Sequence, residues 1–220
     1  MRKIILLQLL FAFIFFNKVS YSQVSLTGGT YNQDFNTLAS TGSSSVLPTG
    51  WLLSESGTST AHNGLYTAGT GSSNAGDTYS FGATSNSERA FGGLRSGTLI
   101  PLIGGSFTNN TGAAITSLAI SYTGEQWRAG VLNRNAADRL DFQYSLNATS
   151  LTTGAWVDVD VLDFNSPNIN TVVGAMNGNA VGNFTIITFT ITGLNIPNGA
   201  TFFLRWVDFD IPSSDDGLGI

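Results

Sequence analysis

The chain has 220 residues, no cysteine, 26 glycines and only 10% charged residues, and 94 of its residues are Ser, Thr, Asn or Gly. Both lysines lie in the first 22 residues, so the remainder carries six arginines against 14 acidic residues, a net charge of −8. A lysine-free acidic chain releases few counterions from a phosphate backbone, which argues against nucleic acid and anionic membrane surfaces as partners.

The first 22 residues have the pattern of a secretory signal peptide. Two basic residues open the chain, residues 4–16 are almost entirely apolar, and Ser20-Tyr21-Ser22 places small residues before a cleavage at Gln23. The apolar run is shorter than the roughly 20 residues of a membrane-spanning helix. We therefore expect a secreted or cell-surface protein that has no membrane span after cleavage.

Residues 23–220 have the size of one domain, and about 200 residues can bury a stable core without disulfides. Such a cysteine-free exported chain is typical of a bacterial protein. No stretch keeps the apolar spacing of a helix without an interrupting Gly or Pro. Apolar and polar residues alternate instead, which is the period of half-buried β-strands.

The clearest alternation predicts four strands, and in the third of them Val157, Val159 and Val161 are expected to face inward. These four strands are 115–123, 139–146, 155–164 and 183–194. Six weaker strands are predicted at 31–35, 64–68, 78–82, 89–94, 100–109 and 201–209.

Turn sequences separate the predicted strands, for example Asn109-Asn110-Thr111-Gly112 and Pro197-Asn198-Gly199. Roughly ten short strands, each with one polar face, can close as two packed sheets. A parallel sheet with crossover helices is excluded because the chain offers no such helices. The predicted fold class is an all-β, antiparallel β-sandwich.

The residues of common catalytic sites are scarce. His62 is the only histidine, no Gly-x-Ser-x-Gly motif accompanies it, and one histidine without cysteine leaves zinc few ligands. Glycoside hydrolysis needs only two carboxylates, but Asp158 and Asp160 are more simply explained as solvent-facing charges on an edge strand. The sequence therefore does not predict an enzyme.

One constellation follows the strand at 115–123. There an acid, an amide, an indole and a guanidinium stand together, and they could hold a sugar ring and its hydroxyls. The alternative is that Glu125 pairs with Arg128 or Arg205 while Trp127 packs in the core. Together with the later pair Arg205 and Trp206, the predicted ligand-binding residues are Glu125, Gln126, Trp127, Arg128, Arg205 and Trp206.

A second constellation gathers carboxylates around a Pro/Ser turn near residue 212. Hard oxygen ligands in a loop suit Ca²⁺, so calcium is a possible cofactor here. The alternative is a solvated acidic turn in which Asp208 pairs with Arg205 or caps backbone amides nearby. The candidate calcium ligands are Asp208, Asp210, Asp215 and Asp216.

Segments 31–38 and 47–51 resemble the start of a jelly-roll module found near the N-termini of secreted bacterial multidomain proteins, among them extracellular nuclease-like and adhesin-like proteins. Segments 124–128, 140–145 and 204–220 are similar to its later parts. The resemblance implies a jelly roll with an accessory role, and it carries over no site residue. It also implies that residues 23–220 are a C-terminally truncated fragment, which lacks its last strand and leaves one sheet edge unpaired.

We expect a secreted, non-catalytic binding or adhesion module, with carbohydrate as the favoured ligand and a cell-surface protein as the next. The alternative is an accessory N-terminal domain of a secreted hydrolase, such as a nuclease, whose catalytic domain lies beyond Ile220. A third reading is a spacer without a ligand, which would be indicated if Trp127 and Trp206 were buried with no open cleft beside them.

Overall fold

The computed structural model describes residues 22–220, and within them the fold is all-β. One 3₁₀ turn, Asp160–Leu162, is the only helical element in that range, and no helix there is long and apolar enough to cross a membrane. The predicted signal peptide falls almost entirely outside the described residues. The strands are Val24–Leu26 (β1), Ser43–Ser44 (β2), Trp51–Gly57 (β3), Tyr66–Gly69 (β4), Asp77–Phe81 (β5), Ala90–Leu94 (β6), Leu99–Asn109 (β7), Ile115–Ala129 (β8), Arg139–Ser145 (β9), Val157–Asp158 (β10), Phe164–Asn165 (β11), Gly174–Ala175 (β12), Phe184–Ile196 (β13), Thr201–Asp208 (β14) and Gly217–Gly219 (β15).

These strands form two sheets that pack face to face, which confirms the predicted β-sandwich. The first sheet has the order β1-β7-β14-β9-β10, with β3 beside β7 and β11 beside β9. The second has the order β12-β8-β15-β6-β5-β4-β2, with β13 beside β8. Pairing is antiparallel except between β1 and β7 and between β4 and β5, so both sheets are mixed. The jelly-roll connectivity stays a prediction.

Two strand predictions were wrong in detail. Residues 31–35 form a loop, and Phe35 in it adopts a left-handed φ of 57°, outside the β region of the backbone. Residues 155–164 break into β10, the 3₁₀ turn and β11, and this turn rotates the alternation so that Leu162 is buried while Val161 is 60% exposed. Val157 is also exposed rather than inward-facing.

The space between the sheets is filled largely by aromatic rings. Trp206 lies at its centre, with the rings of Tyr122 and Phe142 edge-on at 5.3 and 5.2 Å and the ring of Trp51 stacked at 5.9 Å. Phe164 from β11 is fully buried in the same core. Burial of these rings supplies the stabilisation that the chain obtains without a disulfide.

The position of β15 leaves a free edge on its neighbour β8. Strand β15 lies between β6 and β8, but it pairs with β8 only at Glu125, Gln126 and Arg128. Along residues 115–124 the same edge of β8 has no strand beside it within the described chain, and β13 covers only the opposite edge.

Gly124 is a residue that the packing of the two sheets requires. A Cβ at this position would lie 2.3 Å from the Phe164 ring, which is fully buried and cannot move aside. We expect Gly124→Ala to lower the free energy of unfolding by about 1–3 kcal/mol, the usual cost of overpacking a core. Urea denaturation measures this loss. Gly97→Ala is the matched control, since nothing lies within 4 Å of its Cβ, and equal losses in both variants would contradict the packing described here.

Candidate functional site

The six residues predicted to bind a ligand do not form one surface. Trp206 lines a groove between the sheets, and Glu125 borders this groove from the outer face of β8, the face on which Trp127 is also buried. Gln126 is buried on the opposite face of β8. The two guanidinium groups, of Arg128 and Arg205, hold loops on different parts of the surface. Neither predicted ion pair of Glu125, with Arg128 or with Arg205, occurs among the salt bridges of residues 22–220.

Trp127 belongs to a small aromatic cluster on the outer face of the second sheet. Its side chain is 1% exposed and stacks on Phe81 with the rings 6.2 Å apart and 6° from parallel. A Cβ at Gly178 would come within 2.3 Å of the indole nitrogen, so the indole is also covered from that side. The indole N–H donates to Glu125 Oε2 at 2.8 Å. Trp127 therefore presents no open face to a sugar ring.

Gln126 is fully buried, and its amide group ties three segments together. Its Nε2 donates to the Asn168 carbonyl at 3.0 Å and to Asp216 Oδ2 at 2.8 Å, while its Oε1 accepts from the Asn168 backbone N–H at 2.9 Å. Both ends of the amide are thus satisfied inside the protein. Gln126 has a structural role.

The predicted calcium ligands divide between the interior and the surface. The Asp210 side chain is 72% exposed and pairs with Arg95 at 3.3 Å, whereas Asp208, Asp215 and Asp216 are buried. Asp208 Oδ2 accepts from the Arg95 backbone N–H at 3.1 Å, so its partner is Arg95 rather than the predicted Arg205.

Asp216 is already saturated by protein donors. Its Oδ1 accepts from the Gly130 N–H at 2.7 Å and from Arg134 Nη2 at 3.2 Å, and its Oδ2 accepts from Gln126. Within residues 22–220, no group of three or more His, Cys, Asp or Glu side chains is placed to hold a metal ion. The described carboxylates are arranged as acceptors for N–H groups.

Asp138 joins the same buried network from the loop before β9. Its Oδ1 accepts from the Arg139 N–H at 2.8 Å and its Oδ2 from the Asp216 N–H at 2.6 Å. Burial raises the pKa of Asp138 to about 7 and that of Asp215 to about 6, and neighbouring carboxylates add to both shifts. Burial likewise raises the pKa of Asp208 far above its ordinary value. Of these buried carboxyl groups, Asp138 and Asp216 pair with Arg134, and Asp208 accepts the backbone N–H of Arg95.

Arg205 and Trp156 form a separate feature on the outer face of the first sheet. The guanidinium carbon lies 3.8 Å from the centre of the Trp156 ring, a cation–π geometry. Arg205 Nε also donates to Gln143 Oε1 at 2.6 Å and Nη1 to the Leu151 carbonyl at 2.5 Å. These bonds fix the loop around residue 151 to the sheet, so they account for the residue without a ligand.

A groove of about 650 Å³ lies between the two sheets and is here called the inter-sheet groove. One wall is the free edge of β8 and the other is the loop of residues 28–35. Most of its lining is apolar, and its aromatic side chains are Tyr31, Phe35, Trp51, Phe107, Tyr122, Phe202 and Trp206.

Hydrogen bonds fix the rim of the inter-sheet groove. Trp51 Nε1 donates to the Tyr31 hydroxyl at 2.9 Å, and that hydroxyl donates to Gln33 Oε1 at 3.0 Å. The Trp206 indole N–H is buried and has no hydrogen-bond partner within the described residues.

Glu125 is the buried acid of the groove. Burial raises its pKa to about 7, against the opposing hydrogen bond from Trp127 and with a smaller contribution from the nearby Glu88 carboxylate. Near neutral pH Glu125 therefore exists in both protonation states. The groove thus combines aromatic surface with one titrating acid.

Several residues of the inter-sheet groove were missed at the sequence level. Tyr31, Leu118, Ile120 and Tyr122 were expected only as members of the alternating strands predicted at 31–35 and 115–123, and Trp51 was not among the predicted ligand-binding residues. The alternation of Leu118, Ile120 and Tyr122 correctly indicated that they face the other sheet. Nothing in the sequence indicated that part of this face lines an open groove, because the groove depends on which strands end beside β8.

The cluster around Trp127 predicts a stability effect. We expect Trp127→Ala to lower the free energy of unfolding by about 3–5 kcal/mol, because it removes a fully buried ring and leaves a cavity. Trp156→Ala is the control, and its loss should be smaller, since Trp156 is only partly buried, against the Leu151 and Phe203 side chains and the Arg205 guanidinium. Thermal and urea unfolding measure both variants. Similar small losses in both would contradict the structural role of Trp127.

The buried carboxyl network predicts an unusual dependence of stability on pH. The folded protein retains protons on Asp138 and Asp215 that the unfolded chain releases above about pH 4. Their stabilising contribution is therefore complete below about pH 4 and is lost as the pH rises through 6 to 7. We expect the free energy of unfolding to fall between pH 4.5 and pH 8, by about 1.4 kcal/mol for each unit of pKa difference.

Urea denaturation at a series of pH values measures this decrease, and Asp138→Asn should reduce it because one titrating group is removed. Stability that rises over this pH range, or an unchanged pH dependence in Asp138→Asn, would contradict the role of the network.

Comparison with known proteins assigns no family to this fold and site. No protein-family model, curated protein or solved structure matches the chain. The resemblance to secreted jelly-roll modules stays a prediction.

Proposed function

We propose that this protein is a secreted, non-catalytic binding module whose ligand lies in the inter-sheet groove. The observation that carries the proposal is the groove itself, whose volume of about 650 Å³ lies within the range of ligand sites. It contains two of the six residues that the sequence singled out, Glu125 and Trp206. Secretion rests on the N-terminal sequence pattern.

The chemistry of the groove supports binding over catalysis. The side chains that converge there are mainly aromatic and aliphatic, and the buried acid Glu125 already accepts a hydrogen bond from Trp127. His62 lies elsewhere, in a loop where its Nδ1 is 3.3 Å from the Gly57 carbonyl. The alternative role, as an accessory domain of a secreted hydrolase, would use the same groove and differs only in what the domain is joined to.

A protein ligand fits the groove better than the carbohydrate that the sequence favoured. Stacking on a sugar needs an open aromatic face, and Trp127 offers none. Among the aromatic side chains of the groove, only Tyr31 is more than a third exposed, at 37%. The free edge of β8, by contrast, offers backbone hydrogen-bonding groups along one wall, which suits an extended polypeptide.

Array binding tests this proposal. The domain from Gln23 onward is applied to immobilised oligosaccharides and to immobilised 12-residue peptides with alternating apolar residues. We expect binding to peptides, weakened at least tenfold by Leu118→Trp, which puts an indole into the groove. Ile186→Trp is the matched control, because Ile186 lies on β13, is 67% exposed and does not line the groove.

Two results would contradict the proposal. Binding to glycans alone would restore carbohydrate as the ligand class. Binding to neither array would remove the assignment as a binding module and would favour a spacer role.

A further inference from the structure

Strand β8 has a free edge that is long enough to accept another strand. In an antiparallel ladder every second residue directs its N–H and C=O to one neighbour, and the residues between direct theirs to the opposite edge. Strand β13 takes up one edge of β8 from Ile115 to Glu125. Along residues 116–124, no backbone hydrogen bond of the described chain reaches the opposite edge. Nine residues of this edge span roughly 30 Å.

The inter-sheet groove lies along this free edge and continues the line of β15. Residues of both faces of β8, from Ser117 to Thr123, line the groove, as does Ile220. Strand β15 runs antiparallel to β8, and its register proceeds from Arg128 towards Glu125. The next positions in this direction along β8 are those of the free edge. The groove therefore has the place and direction of one further strand of the second sheet.

The apolar surface of the inter-sheet groove suits a strand with one apolar face. Leu118, Ile120 and Tyr122 of β8 face the opposite sheet at alternate positions. Across the groove lie the stacked rings of Phe107 and Phe202, with centres 5.4 Å apart. Every second side chain of an added strand would reach this apolar surface, while the others would point to solvent.

The charged side chains that line the inter-sheet groove are predominantly acidic. Asp34, Glu88 and Glu125 line it together with one basic residue, Arg89. The guanidinium of Arg89 is engaged inside the protein, where its Nε donates to Ser80 Oγ at 2.8 Å and its Nη2 donates to the Ser80 carbonyl. A strand carrying lysine or arginine at its ends is therefore favoured over an acidic one.

Resting on the binding function proposed above, we infer that the inter-sheet groove is a β-augmentation site. It binds an extended peptide of a partner protein as a strand antiparallel to β8 and in line with β15. The peptide has apolar residues at alternate positions and basic residues at its ends. Backbone hydrogen bonds to β8 supply affinity and the apolar floor supplies specificity.

A synthetic peptide with the sequence Lys-Val-Thr-Val-Thr-Val-Thr-Val-Lys tests this inference on the domain from Gln23 onward. Binding is followed by tryptophan fluorescence, since Trp51 and Trp206 line the groove. We expect at least tenfold weaker binding for a peptide whose central Thr is Pro, which removes a backbone donor, and for a peptide in which the valines form one block. Glutamate in place of both terminal lysines should also weaken binding.

Hydrogen–deuterium exchange locates the peptide on the domain. We expect at least tenfold slower exchange for about half of the amides in residues 116–124, namely those whose N–H points to the free edge of β8. The amides on the outer edge of β13 are the internal control, because within the described chain that edge is also unpaired. They should not change.

The outcomes separate this inference from the proposed function. Peptide binding that is insensitive to proline, or protection on β13 instead of β8, would overturn β-augmentation at the groove while leaving a binding module. No binding of any peptide would count against both. A form of the chain extended beyond Ile220 gives a further outcome. If the amides of residues 116–124 exchanged slowly in it without peptide, and it bound no peptide, the extension of the same chain would occupy the inter-sheet groove. The inferred partner protein would then be wrong.

Discussion

Strand β8 is the element on which the rest of the structure depends. Its fifteen residues pair with β13 along one edge and with β15 along a short part of the other, and β12 joins at its end. Successive residues at its C-terminal half point to opposite faces, so Glu125 and Trp127 face one side while Gly124 and Gln126 face the other. One strand thereby joins an aromatic cluster, a polar network and the space between the sheets.

The polar network beside β8 holds the C-terminal segment in place through hydrogen bonds, in a chain that has no disulfide. Asp216 is bound by Gly130, Gln126 and Arg134, and its own N–H is bound by Asp138. Burying carboxylates is costly unless their oxygens accept hydrogen bonds, and here most of them do. Asp208 Oδ1 is an exception among the described atoms. The elevated pKa values of this network follow from that burial, and proton uptake lowers the cost.

The inter-sheet groove arises because side chains fill the centre of the sandwich but no strand pairs with the free edge of β8. The centre of the sandwich is packed with rings around Trp206, whereas the second sheet has no strand opposite residues 28–35. An unpaired edge is normally blunted by charge, bulges or a covering loop. On β8 the free edge faces the groove, where the loop of residues 28–35 forms only the far wall. Backbone groups and apolar surface are thereby available to the same ligand.

The sequence by itself determined the class of fold and most strand positions. Its two-residue alternation placed β9, β13 and β14 within a few residues, because burial of one face of a sheet is a local, periodic requirement. It found the start of β8 but ended that strand at residue 123, whereas β8 continues to Ala129 and includes Glu125 to Arg128. It failed at residues 155–164, where a single 3₁₀ turn shifts the alternation, and at Phe35, whose left-handed backbone no pattern indicated.

Only the tertiary structure decided which residues form a site. The sequence grouped Glu125 to Arg128 because they are neighbours, but alternate residues of a strand point to opposite faces, so Glu125 and Trp127 are separated from Gln126. Of these four residues only Glu125 borders the groove, from the outer face of β8. Tyr31, Trp51 and Leu118 meet there from three separate segments. The acidic residues near residue 212 likewise became N–H acceptors once Gly130, Arg134 and Gln126 were brought against them. Sheet order and register make such long-range pairings, and a one-dimensional pattern contains neither.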